Sequence, residues 1–246
     1  MLLNMDINCD LGESYGHFKV GNDEALFPFL TSCNIACGFH GGDPLHIENT
    51  IILAMQHQLR IGAHPSYPDL AGFGRRSMQL ETNELKAIVK YQIVALKGMV
   101  ESHGGRLAYV KPHGALYNKA AVDASECQVI IDAIKEIDPS LALMGLAGSI
   151  MESIAAANQL PFIAEAFADR RYTQNGQLQA RSAKNAVINN VKEAVEQVLS
   201  IINEQKVQTT AGGFYPINAQ SICVHGDTSA ALDILRAIHH AFKVGF

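Results

Sequence analysis

Short apolar runs alternate along this chain with longer stretches in which apolar residues recur every three or four positions. The runs read as strands and the longer stretches as helices. The pattern places strands at 5–9, 33–39, 60–63, 107–110, 141–145, 161–164 and 221–224. Between them, Asn22 opens a short helix over 22–30. Asp43 caps a helix with Pro44 at its first position and Ile47, Ile51, Ile52 and Met55 on one face. Thr82 caps a long helix with apolar positions at 85, 88, 89, 93, 96 and 100, stopped by Gly104 and Gly105. Ser125 to Gln128 has the form of a capping box, followed by Val129, Ala133, Ile134 and Ile137. A helix runs to about Asn158. Another spans 186–202 on Ala186, Val187, Val191, Ala194, Val195 and Val198, and Asp227 or Thr228 caps the last one. Residues 66–76 and 172–184 lack helical periodicity and read as long binding loops, the second suited to a lid; 205–220 reads as irregular or as a small hairpin.

Strand–helix alternation repeated seven times implies a parallel sheet covered by helices. Closed into one ring, it is an α/β barrel one strand short of the usual eight. In such folds ligands sit at the carboxyl ends of the strands, and here those ends are unusually polar. The run 107–110 finishes in Lys111, Pro112 and His113. Proline cannot donate to a ladder, so pairing stops there. Lys111 and His113, two apart on an extended chain, share one face at about 7 Å spacing. The other ends carry Asp10 and Glu13, His40, His64, Glu165 with Asp169 and Arg170, and His225 with Asp227; only the fifth, Leu146 to Ser149, is uncharged. Core packing does not call for charge at these places, so the pattern favours an enzyme. Arg75 and Arg76 in the first long loop are candidates to hold a carboxylate or phosphate. Gly41 and Gly42 fit either a tight strand-to-helix turn or backbone amides approaching an anion. His57, His103, His239 and His240 fall on helix ends and faces and are assigned no chemistry.

At 246 residues and 48% hydrophobic composition, the chain can bury the core of one barrel domain spanning 1–246. A net charge of −5 with no basic stripe argues against nucleic acid as a partner. No run approaches the roughly 18 apolar residues of a membrane span, and the N-terminus lacks a signal-like segment, so the expected place is the cytoplasm. The five cysteines form no zinc-type pair of pairs and fit small core residues in a reducing compartment.

Two chemistries suit the strand-end residues. Asp10, His40 and His64 are types that a divalent metal takes, which would support metal-assisted hydrolysis. Without metal, Asp10 would act as general base while Lys111, His113 and His225 stabilise charge developing on an oxygen. The chain has no Gly-x-x-x-x-Gly-Lys-[Ser/Thr] motif, so ATP, if used, is bound mainly elsewhere.

The segments Asn8 to Glu13, Asn34 to Asp43, Gly62 to Asp69, Val110 to Gly114, Phe167 to Arg170 and Val224 to Asp227 closely resemble the LamB/YcsF family, in its order and nearly end to end. Asn185-Ala186, where relatives commonly have Gly-Ala, and Arg171, where Gly is frequent, depart from its pattern at the edge of the second long loop. The resemblance implies an irregular seven-stranded parallel β/α barrel of the glycoside hydrolase/deacetylase type. It also implies the work of the A subunit of a prokaryotic 5-oxoprolinase, opening the lactam of 5-oxoproline to glutamate at the expense of ATP together with subunits B and C. In that setting Lys111, His113 and Arg170 would face a phosphate or carboxylate, with Asp10 or Asp169 directing water. Glu13, His40, His64, Arg75, Glu165, His225 and Asp227 would line the substrate site. The competing expectation is a stand-alone metal-dependent deacetylase or amidohydrolase; a third is a binding subunit without chemistry of its own.

Overall fold

The computed structural model describes residues 5–242. Its elements in order are β1 (Asp6–Leu11), α1 (Asp23–Leu26) running into a 3-10 turn (Phe27–Phe29), β2 (Ser32–Ala36), α2 (Pro44–Gln56), β3 (Arg60–His64), α3 (Thr82–Ser102), β4 (Leu107–Val110), α4 (Gly114–Ala120), α5 (Ala124–Ile137), β5 (Ala142–Leu146), α6 (Ile150–Ala157), β6 (Phe162–Phe167), α7 (Val191–Glu204), β7 (Lys206–Gln208), β8 (Phe214–Pro216), β9 (Ser221–Cys223) and α8 (Ala231–Phe242). Seven strands close into a barrel in the order β1-β2-β3-β4-β5-β6-β9, every pair parallel. β7 and β8 form a separate antiparallel ribbon, the small hairpin of the sequence reading. Closure is made by β9, which pairs with β1 through Asn8↔Cys223 and with β6 through Phe167↔Cys223.

Period-two alternation sorts the side chains of β1. Ile7, Cys9 and Leu11 join the main apolar core beneath the helices, while Asn8 and Asp10 point into the barrel. At the barrel floor Tyr109, Ala142 and Met144 form their own apolar cluster. Tyr109 crosses the interior to donate its hydroxyl to Asn34 Oδ1 at 2.7 Å. Gly62 makes room for it: a Cβ there would lie 2.1 Å from the tyrosine ring.

Several boundaries differ from the sequence expectation. β1, β3 and β6 run further than their apolar runs, so Asp10, His64 and Glu165 lie inside strands rather than after them. Polar residues extend these strands because the barrel interior at that level is itself polar. β2 is shorter, ending at Ala36 before Gly38 turns the chain at φ +89°. Asp43 caps α2 as expected, accepting from the amides of Leu45 and His46. Ile52 is exposed, however, and Thr50 and Ala54 are buried in its stead. The cap of α5 is Asp123, not the Ser125 box, and Gln128 is spent on Asp132 and Asn158. Asn22 makes no capping bond, and neither does Glu81, which takes the capping position expected of Thr82. α7 begins at Val191, capped by Asn190, so Ala186 and Val187 fall in the preceding loop. α4 has no counterpart in the sequence expectation; it starts at Gly114, immediately after the Lys-Pro-His ending.

Candidate active site

The barrel interior narrows on one ammonium group held between two carboxylates. Lys111 Nζ donates to Asp10 Oδ1 at 2.8 Å and forms an ion pair with Glu165 Oε1 at 2.7 Å. Asn8 and Asn34 brace the carboxylates. Asn34 Nδ2 donates to Asp10 Oδ1 and Asn8 Oδ1, and Asn8 Nδ2 donates to Glu165 Oε1 and Ser221 Oγ. The Tyr117 hydroxyl donates to Glu165 Oε2 at 2.8 Å. Lys111 is 2% exposed, and burial pulls its pKa down. The charge of Asp10 leads the groups that outweigh burial and hold its pKa well above the ordinary value. Burial likewise pushes the Asp10 carboxyl up, but His64 and Lys111 overcome it and hold the carboxyl well below its usual range.

Three imidazoles form a second group. His64 Nδ1 lies 2.7 Å from the Lys111 carbonyl and His113 Nε2 lies 2.9 Å from the Phe73 carbonyl. A carbonyl only accepts, so these two nitrogens carry the protons. The remaining nitrogens, His64 Nε2 and His113 Nδ1, face each other at 2.9 Å. The His40 ring stacks on His113 at 3.7 Å, and its Nε2 lies 3.1 Å from Glu13 Oε1. Burial lowers the pKa of His40 and His113 well below the ordinary histidine value, so both are neutral rings at neutral pH. Burial together with the Asp10 charge pushes Glu13 up to about 8.

The third unit is a dyad. His225 Nδ1 lies 2.9 Å from Asp169 Oδ1, and the His225 amide donates to Asp169 Oδ2. The carboxylate fixes the tautomer with the proton on Nδ1, which leaves Nε2 as the basic nitrogen. Phe167 stacks on the ring and holds its orientation.

These groups open outward into a cleft of about 1010 Å³ whose walls include Asp10, Arg75, His113, Arg170, Arg181 and His225. Its inner end is a neck of about 40 Å³ walled by Asp10, His64, Lys111, Tyr117, Phe167, Arg170 and His225. Arg170 is 4% exposed. Its guanidinium donates to the Gln179 carbonyl, its Nε has no partner, and no carboxylate stands within ion-pair distance of it among the described residues. A buried cation without a counter-ion at the neck of a cleft is suited to receive an anion. At the outer rim Asp227 accepts from both Arg75 and Arg181, tying the first long loop to the second. Arg76 pairs instead with Asp69. A separate cleft of about 740 Å³ beside α7 and the β7–β8 ribbon lies away from the strand ends.

The structure thus brings Asp10, His64, Lys111, His113, Arg170 and His225 to one cleft, with Arg75 and Asp227 at its rim. Four of the expected site residues stand behind the cleft wall in this structure. Glu165 is fully buried as the ion partner of Lys111, Asp169 is fully buried behind His225, and His40 is fully buried behind His113. Glu13 also lies behind the cleft wall, against His40. Of the metal candidates Asp10, His40 and His64, His64 Nε2 lies 3.4 Å from Asp10 Oδ2. His40 and His64 group with Glu13 and His113, whereas Asp10 groups with Cys223 and His225. Asn8, Asn34, Ser221, Cys223, Tyr117 and Arg181 escape the sequence reading. A signal existed for three of them: Asn8 and Asp10, like Ser221, Cys223 and His225, are spaced by two and so share the inward face. Arg181 gave none, because it is brought in by a loop. Gly41 and Gly42 serve the tight turn. A Cβ on either would strike the backbone oxygen of Glu13 or Gly12.

The model of the LamB/YcsF family matches residues 5–245. The chain is 46% identical over 246 residues to the 5-oxoprolinase A subunit of Bacillus mycoides (strain KBAB4), covering 99% of this chain and 96% of that protein. It is 50% identical over 239 residues to the 5-oxoprolinase A subunit of Acinetobacter baylyi, covering 97% and 94%. Among solved structures, a lactam utilization protein from Thermus thermophilus superposes with a TM-score of 0.90 at 41% identity, covering 98% of this chain and 96% of that one.

Proposed function

The chain belongs to the LamB/YcsF family, and from that premise we propose that it opens the lactam ring of 5-oxoproline to L-glutamate, as the A subunit of a cytoplasmic, ATP-coupled 5-oxoprolinase completed by subunits B and C. The observation that carries this reading is Arg170, a buried cation without a counter-ion, sharing the neck with the basic nitrogen of the Asp169–His225 dyad and with ionised Asp10. The substrate is a small anion with one carbonyl to attack, and the neck offers Arg170, a cation with no ion partner, beside the base His225. The relatives that carry the 5-oxoprolinase name match over nearly their whole length.

An unstrained five-membered lactam resists water, so the carbonyl oxygen is first phosphorylated by ATP. The partner subunits bind the nucleotide, since this chain has no phosphate-binding Gly-Lys loop. In the neck Arg170 holds the anionic group. Water adds to the ring carbonyl carbon as His225 Nε2 takes one of its protons. The carbon–nitrogen bond then breaks, and the nitrogen leaves as an amine carrying both protons of the water, one by way of His225. A second water cleaves the resulting acyl phosphate to glutamate and phosphate. Asp169 keeps His225 in the accepting tautomer. Lys111, with its protons committed to Asp10 and Glu165, sets the charge of the chamber and holds Asp10 ionised, in place of a direct contact with the oxyanion.

The test is glutamate release from 5-oxoproline with ATP and subunits B and C, with and without this chain. His225→Asn is expected to lower kcat by about 10²- to 10⁴-fold, the usual worth of a general base. Arg170→Ala is expected to raise KM about 10- to 100-fold, as loss of a charge-assisted anchor does. Full ATP-coupled activity in both variants would end the assignment of this neck. Deacetylation by this chain alone, without nucleotide, would replace the reading with the stand-alone hydrolase.

A further inference from the structure

We propose that Glu13, His40, His64 and His113 form a binding site for one divalent transition-metal ion that pins four consecutive strand ends together. One ligand comes from each: Glu13 follows β1, His40 follows β2, His64 ends β3, and His113 follows β4. One donor atom from each residue lies within 4.8 Å of every other. The closest separations are 2.9 Å between His113 Nδ1 and His64 Nε2, 3.1 Å between His40 Nε2 and Glu13 Oε1, and 3.4 Å between His113 Nδ1 and Glu13 Oε1. Four donors placed tetrahedrally at 2.0–2.2 Å from a common centre stand about 3.3–3.6 Å apart. The three closest pairs are near that spacing, and the wider ones, up to 4.8 Å, close as the stacked His40 and His113 rings turn toward a common centre.

Proton placement points the same way. The Lys111 and Phe73 carbonyls take the protons of His64 Nδ1 and His113 Nε2. This leaves His64 Nε2 and His113 Nδ1 facing each other at 2.9 Å, with Glu13 Oε1 3.4 Å from His113 Nδ1 and Asp10 Oδ2 3.4 Å from His64 Nε2. A divalent cation bound here would take the place of the protons that otherwise lie between these atoms. Carbonyl acceptors on the far nitrogens are also the usual outer support of metal-ligating histidines, fixing the tautomer and ring plane. His40, a fully buried ring, has its Nε2 beside Glu13 and its Nδ1 without a partner.

Three imidazoles and one carboxylate favour a borderline ion such as Zn²⁺ over Ca²⁺ or Mg²⁺. All four ligands are nearly or wholly buried, and a shell closed by four protein ligands is of the structural kind. Its role here would be to fix the strand ends and the first long loop. Gly74 of that loop lies so close that a Cβ would be 2.7 Å from His113 Cδ2 and 2.9 Å from His40 Cβ. This site differs from the open metal position that a hydrolytic deacetylase would need, and it is independent of the lactam reading because no activity enters its test.

The test uses the whole chain stripped with EDTA, titrated with Zn²⁺ by calorimetry and with Co²⁺ as an optical reporter. One equivalent is expected, with the visible bands of four-coordinate cobalt and no thiolate charge-transfer band. His40→Ala and His113→Ala should each weaken binding by about 100-fold or more, as loss of one of four ligands does. Zn²⁺ should also raise the Tm of the wild-type chain by several degrees at saturation. Substoichiometric binding by the wild-type chain would overturn the site without recourse to any variant. So would a thiolate band, which would move the ion to Cys223, or one equivalent that survives Glu13→Gln, His40→Ala and His113→Ala alike.

Discussion

Glu13 sits behind the cleft wall with its carboxyl pushed up to about 8 by burial and by the charge of Asp10. The folded chain therefore keeps a proton there at neutral pH that the unfolded chain has released. Between about 4.5, the ordinary value, and 8 the folded state binds more protons, so this residue makes stability fall as pH rises through that window. The slope approaches about 1.4 kcal/mol per pH unit for a single group. In urea unfolding under EDTA, Glu13→Gln is expected to match the wild type near pH 4 and to become the more stable protein by pH 8. Parallel profiles across that range would show that Glu13 ionises freely in the fold. The sequence marked Glu13 as a strand-end acid, but its protonation depends on its burial and on Asp10 arriving beside it. Asp169 gives the same lesson. It reads as a carboxylate for directing water, and the structure spends it on holding His225.

At the scale of elements, the helix and strand signals divide by how local their physics is. Asp43 and Pro44 start α2 because the cap bonds only its own first turn, through the amides of Leu45 and His46, and the side chain also accepts from the Gly16 amide. Asp43→Ala should cost about 1–2 kcal/mol of folding stability, read as a shift of the denaturant midpoint. Gly62 is the opposite case, an ordinary strand residue in sequence whose identity is set across the barrel. Gly62→Ala places a Cβ 2.1 Å from the Tyr109 ring and should cost about 1–3 kcal/mol by overpacking, with Tyr109→Leu in the same chain restoring part of it. An undisturbed midpoint in Gly62→Ala would mean that Tyr109 has another rotamer open to it. The strand ends extend beyond the sequence expectation for a related reason. Apolar runs mark where helices cover a strand, whereas β1, β3 and β6 continue through polar residues that only the barrel interior can pair.

Across the whole molecule, one buried polar network spans the interior, linking β1, β2, β6 and β9 to the Lys111 that follows β4. Removing its cation leaves two carboxylates buried without compensation, a loss of about 3–5 kcal/mol. Lys111→Met should therefore lower the unfolding midpoint sharply. Adding Asp10→Asn and Glu165→Gln should recover much of the loss while leaving the chain without the ionised chamber; a triple variant no more stable than Lys111→Met would show that the network acts through packing and not through charge. The sequence by itself determined the seven strand–helix alternations, the parallel barrel, the uncharged end of β5 and the cleft residues Asp10, Lys111, His113 and His225, because period and punctuation are local properties of the chain. Only the tertiary structure decided which of those groups line the cleft and which stand behind them, that Glu13, His40, His64 and His113 gather within 4.8 Å, and that Arg181 reaches Asp227. Pairing, burial and proton position depend on what closure of the barrel brings into contact, and residues far apart in the chain carry no record of that contact in their own neighbourhoods.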